Sequence, residues 1–161
     1  SILDVEQILA NAFGEAMIVD IPPASVDPDT SIFFVDDSIV ARRKISEVLD
    51  KLGVRHKHAT NGLEAWTRLQ GIAAHAQQMG HEVREDIRLI LVDAEMPEMD
   101  GYVLTKNIKG DARFQGVPVV MHSSLSSEAN RAMGKTVGVD AYVAKFDAEA
   151  LADTLRPLLE R

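Results

Sequence analysis

Short apolar runs alternate with segments of helical periodicity along residues 31–161. Apolar runs of about four to eight residues between turn signals are typical of buried parallel strands, and apolar repeats at every third and fourth residue indicate helices. The pattern predicts five strands, at residues 31–35, 54–59, 88–92, 117–121 and 141–144. A helix is predicted after each strand.

The predicted helices bury one stripe each. The first ends at Gly53, because glycine adopts the left-handed conformation that terminates helices. The second covers residues 62–78 and carries Trp66 on its apolar stripe, so this side chain is predicted to lie in the core. On the fourth helix the predicted packing positions are Leu125, Met133 and Val137.

Repeated strand–helix units predict a doubly wound α/β fold. Connections between parallel strands are right-handed, so the helices cover both faces of one five-stranded parallel sheet. In the flavodoxin-like order 2-1-3-4-5, strands one and three are neighbours. The polar residues that follow these two strands are therefore expected to share one pocket.

The N-terminal segment has a different character. Residues 5–13 show helical spacing, and residues 22–29 are rich in proline and polar residues, as in a linker. We predict a boundary near Thr30, with a helix and linker in residues 1–30 and a domain in residues 31–161. Because Ser1 leads almost directly into a helical pattern, the chain is expected to be a fragment of a longer protein.

Composition excludes several classes of function. The 161 residues carry a net charge of −8, and a chain this acidic lacks the basic face that nucleic acids require. Without cysteine there are no disulfides and no thiolate zinc sites. No apolar stretch approaches the ~20 residues of a membrane span, and no signal peptide begins the chain. The expected location is the cytoplasm.

Carboxylates and one lysine stand at the ends of predicted strands. Asp36 and Asp37 follow the first strand, Asp93 the third, and Lys145 the fifth. The carboxyl ends of parallel strands meet at one edge of the sheet, so these groups are expected to converge. Such a cluster is costly without a divalent cation, and Mg²⁺ prefers hard oxygen ligands. The pattern indicates phosphoryl transfer to a carboxylate.

Each of these residues also has a plain structural interpretation. Asp37 or Ser38 could cap a helix, Ser123 could belong to a turn, and Lys145 could be a surface charge. Their joint placement at strand ends favours the functional interpretation, with Ser123 as hydrogen-bond donor and Lys145 as counter-charge. For the five histidines we predict surface positions or partner contacts: His56, His58, His75, His81 and His122.

Four strings resemble the receiver domain of two-component response regulators: FFVDDS, VDAEMPEMDGYVL, PVVMHSSLS and DAYVAKF. The resemblance covers about residues 31–160. Within that family, MHSSLS, the Lys-Phe pair and the extra residues around MGHEVRED look most like the receiver half of CheV-type chemotaxis coupling proteins. Residues 1–20 are similar to the last helix of the CheW-like domain that precedes it there.

The resemblance implies a CheY-like (βα)5 fold and a Mg²⁺-dependent phosphoacceptor. Asp93 would receive a phosphoryl group from the phosphohistidine of a CheA-like kinase. Asp37, Asp93 and the backbone carbonyl of Glu95 would hold Mg²⁺ directly, and Asp36 would hold it through water. The domain would signal rather than catalyse turnover, beyond its own phosphorylation and dephosphorylation.

The resemblance also implies a switch. Ser123 and Lys145 would stabilise charge on the transferred oxygens, and Tyr142 would move inward after phosphorylation, changing the surface made by helix four, strand five and helix five. A static core position for Tyr142 is the alternative. A preceding CheW-like domain would connect the receiver to chemoreceptors and the kinase array, while a stand-alone phosphate sink, or another kind of response-regulator receiver, stays open.

The chain departs from the usual receiver pattern at Glu95, Leu125 and Phe146. Where many receivers have a cis Lys-Pro bond, this chain has Lys145-Phe146, which we expect to be trans or locally strained. Glu95 and Leu125 lie where a hydrolytic water would approach, so phosphoryl lifetime could differ. Dehalogenase-type phosphatases need D-x-D after strand one, where this chain has two adjacent aspartates. Flavodoxins need a phosphate-binding loop there, which the string SIVARRK does not supply. A DNA-binding output domain would have to follow residue 161.

Overall fold

A computed structural model describes residues 20–124 and 128–161 of the chain. The main elements are β1 (Ser31–Val35), α1 (Ile39–Leu52), β2 (Arg55–Ala59), α2 (Gly62–Met79), β3 (Ile87–Asp93), α3 (Gly101–Lys109), β4 (Val119–Ser123), α4 (Glu128–Val137), β5 (Ala141–Ala144) and α5 (Ala148–Leu159). A one-turn helix precedes β3 and a 3₁₀ turn follows α3. The predicted helix at residues 5–13 and the predicted core position Leu125 lie outside the described residues. No helix in the described ranges is long and apolar enough to span a bilayer.

The five strands form one parallel sheet in the order β2-β1-β3-β4-β5, which confirms the predicted fold. In the centre of the sheet, Phe34 lies opposite Leu91 and Val35 opposite Val92. The ends of β1 and β3 are therefore adjacent, as the switch in strand order requires.

Two apolar clusters cover the faces of the sheet. Phe33 and Ile90 belong to the cluster beneath α2 and α3, whereas Phe34 and Leu91 belong to the cluster beneath α1 and α5. Successive side chains of a strand point to opposite faces, so the two central strands contribute to both clusters. Trp66, predicted to lie in the core, is half-buried and packs against the first cluster.

The central strands end later than their apolar runs suggest. Pro118 has no amide, and its carbonyl accepts a hydrogen bond from Ile90, while the amide of Val117 bonds back into the preceding turn. The β4 ladder consequently starts two residues later than predicted and continues through Ser123. Likewise β3 continues through Asp93. Both polar residues are the last residues of buried strands rather than the first residues of loops.

Helix α4 packs differently from the prediction. Met133 is 51% exposed, so its assignment to the core was wrong, and Val137 is half-buried. The buried residue of the helix is Gly134, whose backbone lies close to the ring of Tyr142 and to Val139. Because Gly134 has no side chain, α4 approaches the sheet closely at this residue. The neighbouring Met133 consequently faces outward.

Residues 20–26, here termed the N-terminal strap, carry no helix or strand but pack on the domain. Ile21 is only 7% exposed and joins the cluster beneath α1 and α5. Arg156 donates to the carbonyl of Pro22 at 3.0 Å, and the amide of Ala24 donates to the last residue of α1. The segment predicted as a linker therefore contacts both helices.

Candidate functional site

Polar side chains converge at the carboxyl edge of the sheet. Asp36 directly follows β1, Asp93 and Ser123 end β3 and β4, and Lys145 directly follows β5. Asp36 and Asp93 are fully buried, and Ser123 is 1% exposed. Asp36, Asp93 and Lys145 converge as expected, whereas Asp37, expected in the same cluster, is exposed.

Lys145 bridges the two buried carboxylates. Its Nζ lies 3.0 Å from Asp93 Oδ1 and 3.2 Å from Asp36 Oδ2. One ammonium thus neutralises only part of the charge that two aspartates would carry. Since buried charges need compensation, ionisation of both carboxylates favours binding of another cation.

Backbone amides fix the orientation of both carboxylates. The amide of Ser38 donates to Asp36 Oδ1 at 2.8 Å, and that of Glu95 donates to Asp93 Oδ1 at 3.1 Å. Of the remaining oxygens, Asp93 Oδ2 is buried without a hydrogen-bond donor, whereas Asp36 Oδ2 faces the ammonium of Lys145. The available oxygen is therefore that of Asp93.

The electrostatics follow from this crowding. Burial, followed by the charge on Asp36, raises the pKa of Asp93 to about 8. Burial alone would lower the pKa of Lys145, but its hydrogen bond to Asp93 and the two carboxylate charges outweigh that effect and raise the pKa. Carboxylate ligands, one buried oxygen of Asp93 without a partner, and the repulsion between the two carboxylates fit a hard divalent cation such as Mg²⁺.

A close backbone contact holds the loop after β3. A Cβ on Gly101 would overlap the carbonyl oxygen of Asp93 and the Cα of Ala94. Asp100 caps α3 by accepting from the amide of Val103 at 2.9 Å. The start of α3 is therefore pressed against the backbone that carries Asp93.

Residues 32–156 match the family model described as the response regulator receiver domain. The chain belongs to this family. As a receiver domain it is a signalling module.

The receiver has relatives among curated chemotaxis proteins. CheV3 of Helicobacter pylori is 32% identical over 81% of this chain and 41% of its own length, and CheV2 of the same organism is 27% identical over 98% of this chain and 49% of its own length. H. pylori CheY1 is 31% identical over 80% of this chain and 95% of its own length. The chain spans less than half the length of these CheV relatives.

Solved structures agree on the fold. Vibrio cholerae CheY4 is 27% identical with a TM-score of 0.67, covering 81% of this chain and 98% of its own. The receiver of the histidine kinase CKI1 from Arabidopsis thaliana, solved with Mg²⁺, is 24% identical with a TM-score of 0.73, covering 86% of this chain and 97% of its own. The second likeness concerns the fold alone.

Two of the predicted metal residues differ in their surroundings from Asp36 and Asp93. Asp37 lies in the turn before α1 and is exposed, while Ser38 supplies the helix cap by accepting from Ala41. The side chain of Glu95 is half-buried and turns toward β4. No local sequence pattern predicts that the Glu95 side chain contacts β4.

The hydroxyl of Ser123 donates to Glu95 Oε1 at 2.5 Å, and Ser124 donates to the same oxygen at 3.3 Å. The serine predicted to donate to a phosphoryl group therefore has a carboxylate acceptor in this structure. Glu95 Oε2 is buried without a partner.

The prediction of a surface position was wrong for His122. Its residue is 4% exposed, at the end of β4 and paired in register with Asp93. Burial, followed by the charge on Lys145, lowers the pKa of His122 to about 3, so the imidazole is neutral. Every residue of β4 is buried, so extending the predicted strand past Met121 would have placed His122 in the interior.

Tyr142 is half-buried on β5 against α4. Its ring lies under the guanidinium of Arg131, 5.1 Å from the ring centroid, and beside Gly134. Burial, together with a hydrogen bond to Tyr142, raises the pKa of Tyr102 on α3. Tyr142 thus contacts two neighbouring helices, α3 and α4.

No cis peptide occurs in the described ranges, so the bond between Lys145 and Phe146 is trans, as expected. Phe146 has φ 63° and is 57% exposed. A left-handed conformation is unfavourable for a bulky residue, so the turn after β5 is locally strained.

Proposed function

We propose that this receiver accepts a phosphoryl group on Asp93 from the phosphohistidine of a CheA-like kinase. The observation that carries the proposal is the environment of Asp93: a buried carboxylate with one oxygen anchored by Glu95 N and one without a partner. The free oxygen is the nucleophile. It forms a bond to phosphorus while the phosphorus–nitrogen bond breaks, and the electron pair returns to the donor imidazole.

The neighbours of Asp93 would assist this transfer. Asp36, Asp37, Asp93 and the backbone carbonyl of Glu95 would hold Mg²⁺, which supplies positive charge beside the transferred oxygens. Lys145, already 3.0 Å from Asp93, would pair with a phosphoryl oxygen. These residues position charge rather than form further covalent bonds.

Ser123 and Tyr142 would report the phosphorylated state. Ser123 would exchange its bond to Glu95 for one to the phosphoryl group, and Tyr142 would follow inward. Because Tyr142 contacts Arg131 and Gly134 on α4, movement of the ring would shift this helix. The α4, β5 and α5 surface would then change.

We further propose that the whole protein is a cytoplasmic chemotaxis coupling protein, with a CheW-like domain ending within residues 1–30. The alignments with CheV2 and CheV1 cover 98% and 99% of the chain and support a preceding segment of CheV type, whereas those with CheV3 and CheY1 cover 81% and 80%. Such a protein would adjust kinase activity at chemoreceptor arrays. A stand-alone phosphate sink would need only the part shared with CheY1.

Intact-protein mass spectrometry tests the phosphoacceptor. Incubation with acetyl phosphate and Mg²⁺, or with phosphorylated CheA-like kinase, is expected to add one phosphoryl group to the wild type and none to Asp93→Asn. Asp153→Asn, exposed on α5, is the matched control and should behave as the wild type. An equal adduct on Asp93→Asn would contradict the proposal, as would an adduct that forms equally in EDTA.

A further inference from the structure

The imidazole of His122 has no part in the proposed phosphoryl transfer. Its side chain is 5% exposed, and it lies at the end of β4 between the strands that carry Asp93 and Lys145. A polar side chain buried this deeply needs partners for both ring nitrogens. One of them has none.

The orientation of the ring leaves a lone pair facing a carboxylate. The imidazole hydrogen-bonds to the backbone of Val35, while Nε2 has no hydrogen-bond partner and lies 3.4 Å from Asp36 Oδ2. The bond to Val35 is thus made by Nδ1, and a carbonyl acceptor keeps the proton there. A histidine that donates one nitrogen to a carbonyl presents the other as a metal ligand.

Two carboxylates complete a set of ligands. One atom each from Asp36, Asp93 and His122 lies within 4.8 Å of the others. We propose that these three side chains form a site for a borderline divalent metal, such as Zn²⁺ or Co²⁺. Such ions bind imidazole nitrogen and carboxylate oxygen at about 2.0 to 2.2 Å, whereas Mg²⁺ favours oxygen.

Metal in this site competes with Lys145, because the ammonium contacts the same oxygen of Asp36. A cavity of about 70 Å³ borders both His122 and Lys145 and is also lined by Glu47 and Asp147. The lysine side chain can turn into this cavity when a metal replaces it. The metal would then be bound to the carboxylate of Asp93.

The consequence for signalling rests on the proposed function. With Asp93 bound to Zn²⁺ through its available oxygen and Lys145 displaced, the nucleophile and its counter-charge are both lost. One equivalent of Zn²⁺ should therefore inhibit phosphorylation in the presence of Mg²⁺, and a chelator should restore it.

Metal titration of the purified chain tests the site directly. Wild-type protein should bind one Co²⁺ with visible d–d absorption, and His122→Val should weaken binding by about 10- to 100-fold or more. His75→Val, on the exposed side of α2, is the control and should bind as the wild type. Equal affinity and spectrum in His122→Val would overturn the proposal.

Histidine ¹⁵N spectra of the wild type decide the question even if His122→Val does not fold. Zn²⁺ should shift Nε2 of His122 before any other imidazole. A shift confined to His56 and His58 on β2 would mean a surface site only and would overturn the proposal. Phosphorylation with Mg²⁺ is measured on the same sample, so loss of phosphoryl acceptance and loss of His122 metal binding are scored separately.

Discussion

Glu95 accepts a hydrogen bond from the Ser123 hydroxyl, which the proposed phosphoryl transfer needs as a donor. Ser123 donates to Glu95 Oε1 at 2.5 Å, and a hydrogen bond to a charged acceptor contributes about 1.5 to 3 kcal/mol. Before Ser123 can donate to a phosphoryl group on Asp93, this bond must break. Glu95 also adds negative charge beside an incoming anion, so it opposes phosphorylation in two ways.

Replacement of Glu95 separates these two effects. Glu95→Ala removes both the acceptor and the charge, and should speed phosphorylation by acetyl phosphate about tenfold, the equivalent of about 1.4 kcal/mol. Glu95→Gln keeps an acceptor without the charge and should fall between. The rate is measured by intact mass against time, and an Ala variant no faster than the wild type would contradict the proposed inhibitory role of Glu95.

Asp93 is also expected to destabilise the metal-free fold at neutral pH. Its pKa rises from 3.8 to about 8, so between these values folding must take up a proton. The stability present below pH 4 is lost progressively as pH rises toward 8. Asp93→Asn should escape this loss and gain on the order of 2 kcal/mol at pH 8, about 4 to 8 °C in Tm.

Thermal melts in EDTA at pH 4, 6 and 8 test this expectation. The Tm of Asp93→Asn should exceed that of the wild type by an amount that grows with pH. Mg²⁺ should reduce this difference in Tm by neutralising the carboxylates. The Tm of Asp153→Asn should match that of the wild type at each pH. A difference that stays constant with pH would mean that the aspartate acts through packing rather than charge.

At the scale of elements, the contact between α3 and β3 sets the position of the site. Gly101→Ala would push against the carbonyl of Asp93, and because backbone atoms cannot turn aside, it should destabilise the fold by about 1 to 3 kcal/mol or more. Gly71→Ala is the matched control. No atom lies within 4 Å of the added Cβ there, so it should stabilise α2 by about 0.5 to 1 kcal/mol.

Urea unfolding of both variants measures the difference, and Gly101→Ala should also slow phosphorylation because it moves the backbone of Asp93. Two variants of equal stability would show that α3 can shift away from the strand at little cost.

Elements with strong local signals could be predicted from the sequence, and tertiary pairings could not. The run SIFFV predicts β1 with its observed bounds, because every one of its residues is buried. His122 was misplaced since the apolar run of β4 stops at Met121, and one more residue of strand reverses the inference from surface to interior. The bond between Ser123 and Glu95 joins residues 28 positions apart, and no local pattern encodes it.

At the scale of the whole molecule, the strap itself is bound to α1 and α5. Ser25 N donates to Glu160 at 2.9 Å, and Arg156 donates to Pro22, so both side-chain contacts lie in the last turn of α5 or just beyond it. In the proposed function α5 belongs to the surface that changes on phosphorylation. In the proposed coupling protein, the strap would pass that change to the CheW-like domain.

Ile21 is the apolar anchor of the strap, and its removal tests whether the strap is part of the fold. Ile21→Ala should lower the free energy of unfolding by about 2 kcal/mol, because a nearly buried side chain leaves a gap between α1 and α5. Asp29→Ala, exposed beyond the strap, should change it little. Hydrogen exchange should show faster exchange of the Ala24 amide, now bonded to Leu52. If residues 20–29 were a free linker, neither stability nor exchange would respond to Ile21→Ala, and coupling to a preceding domain would have to run through another surface.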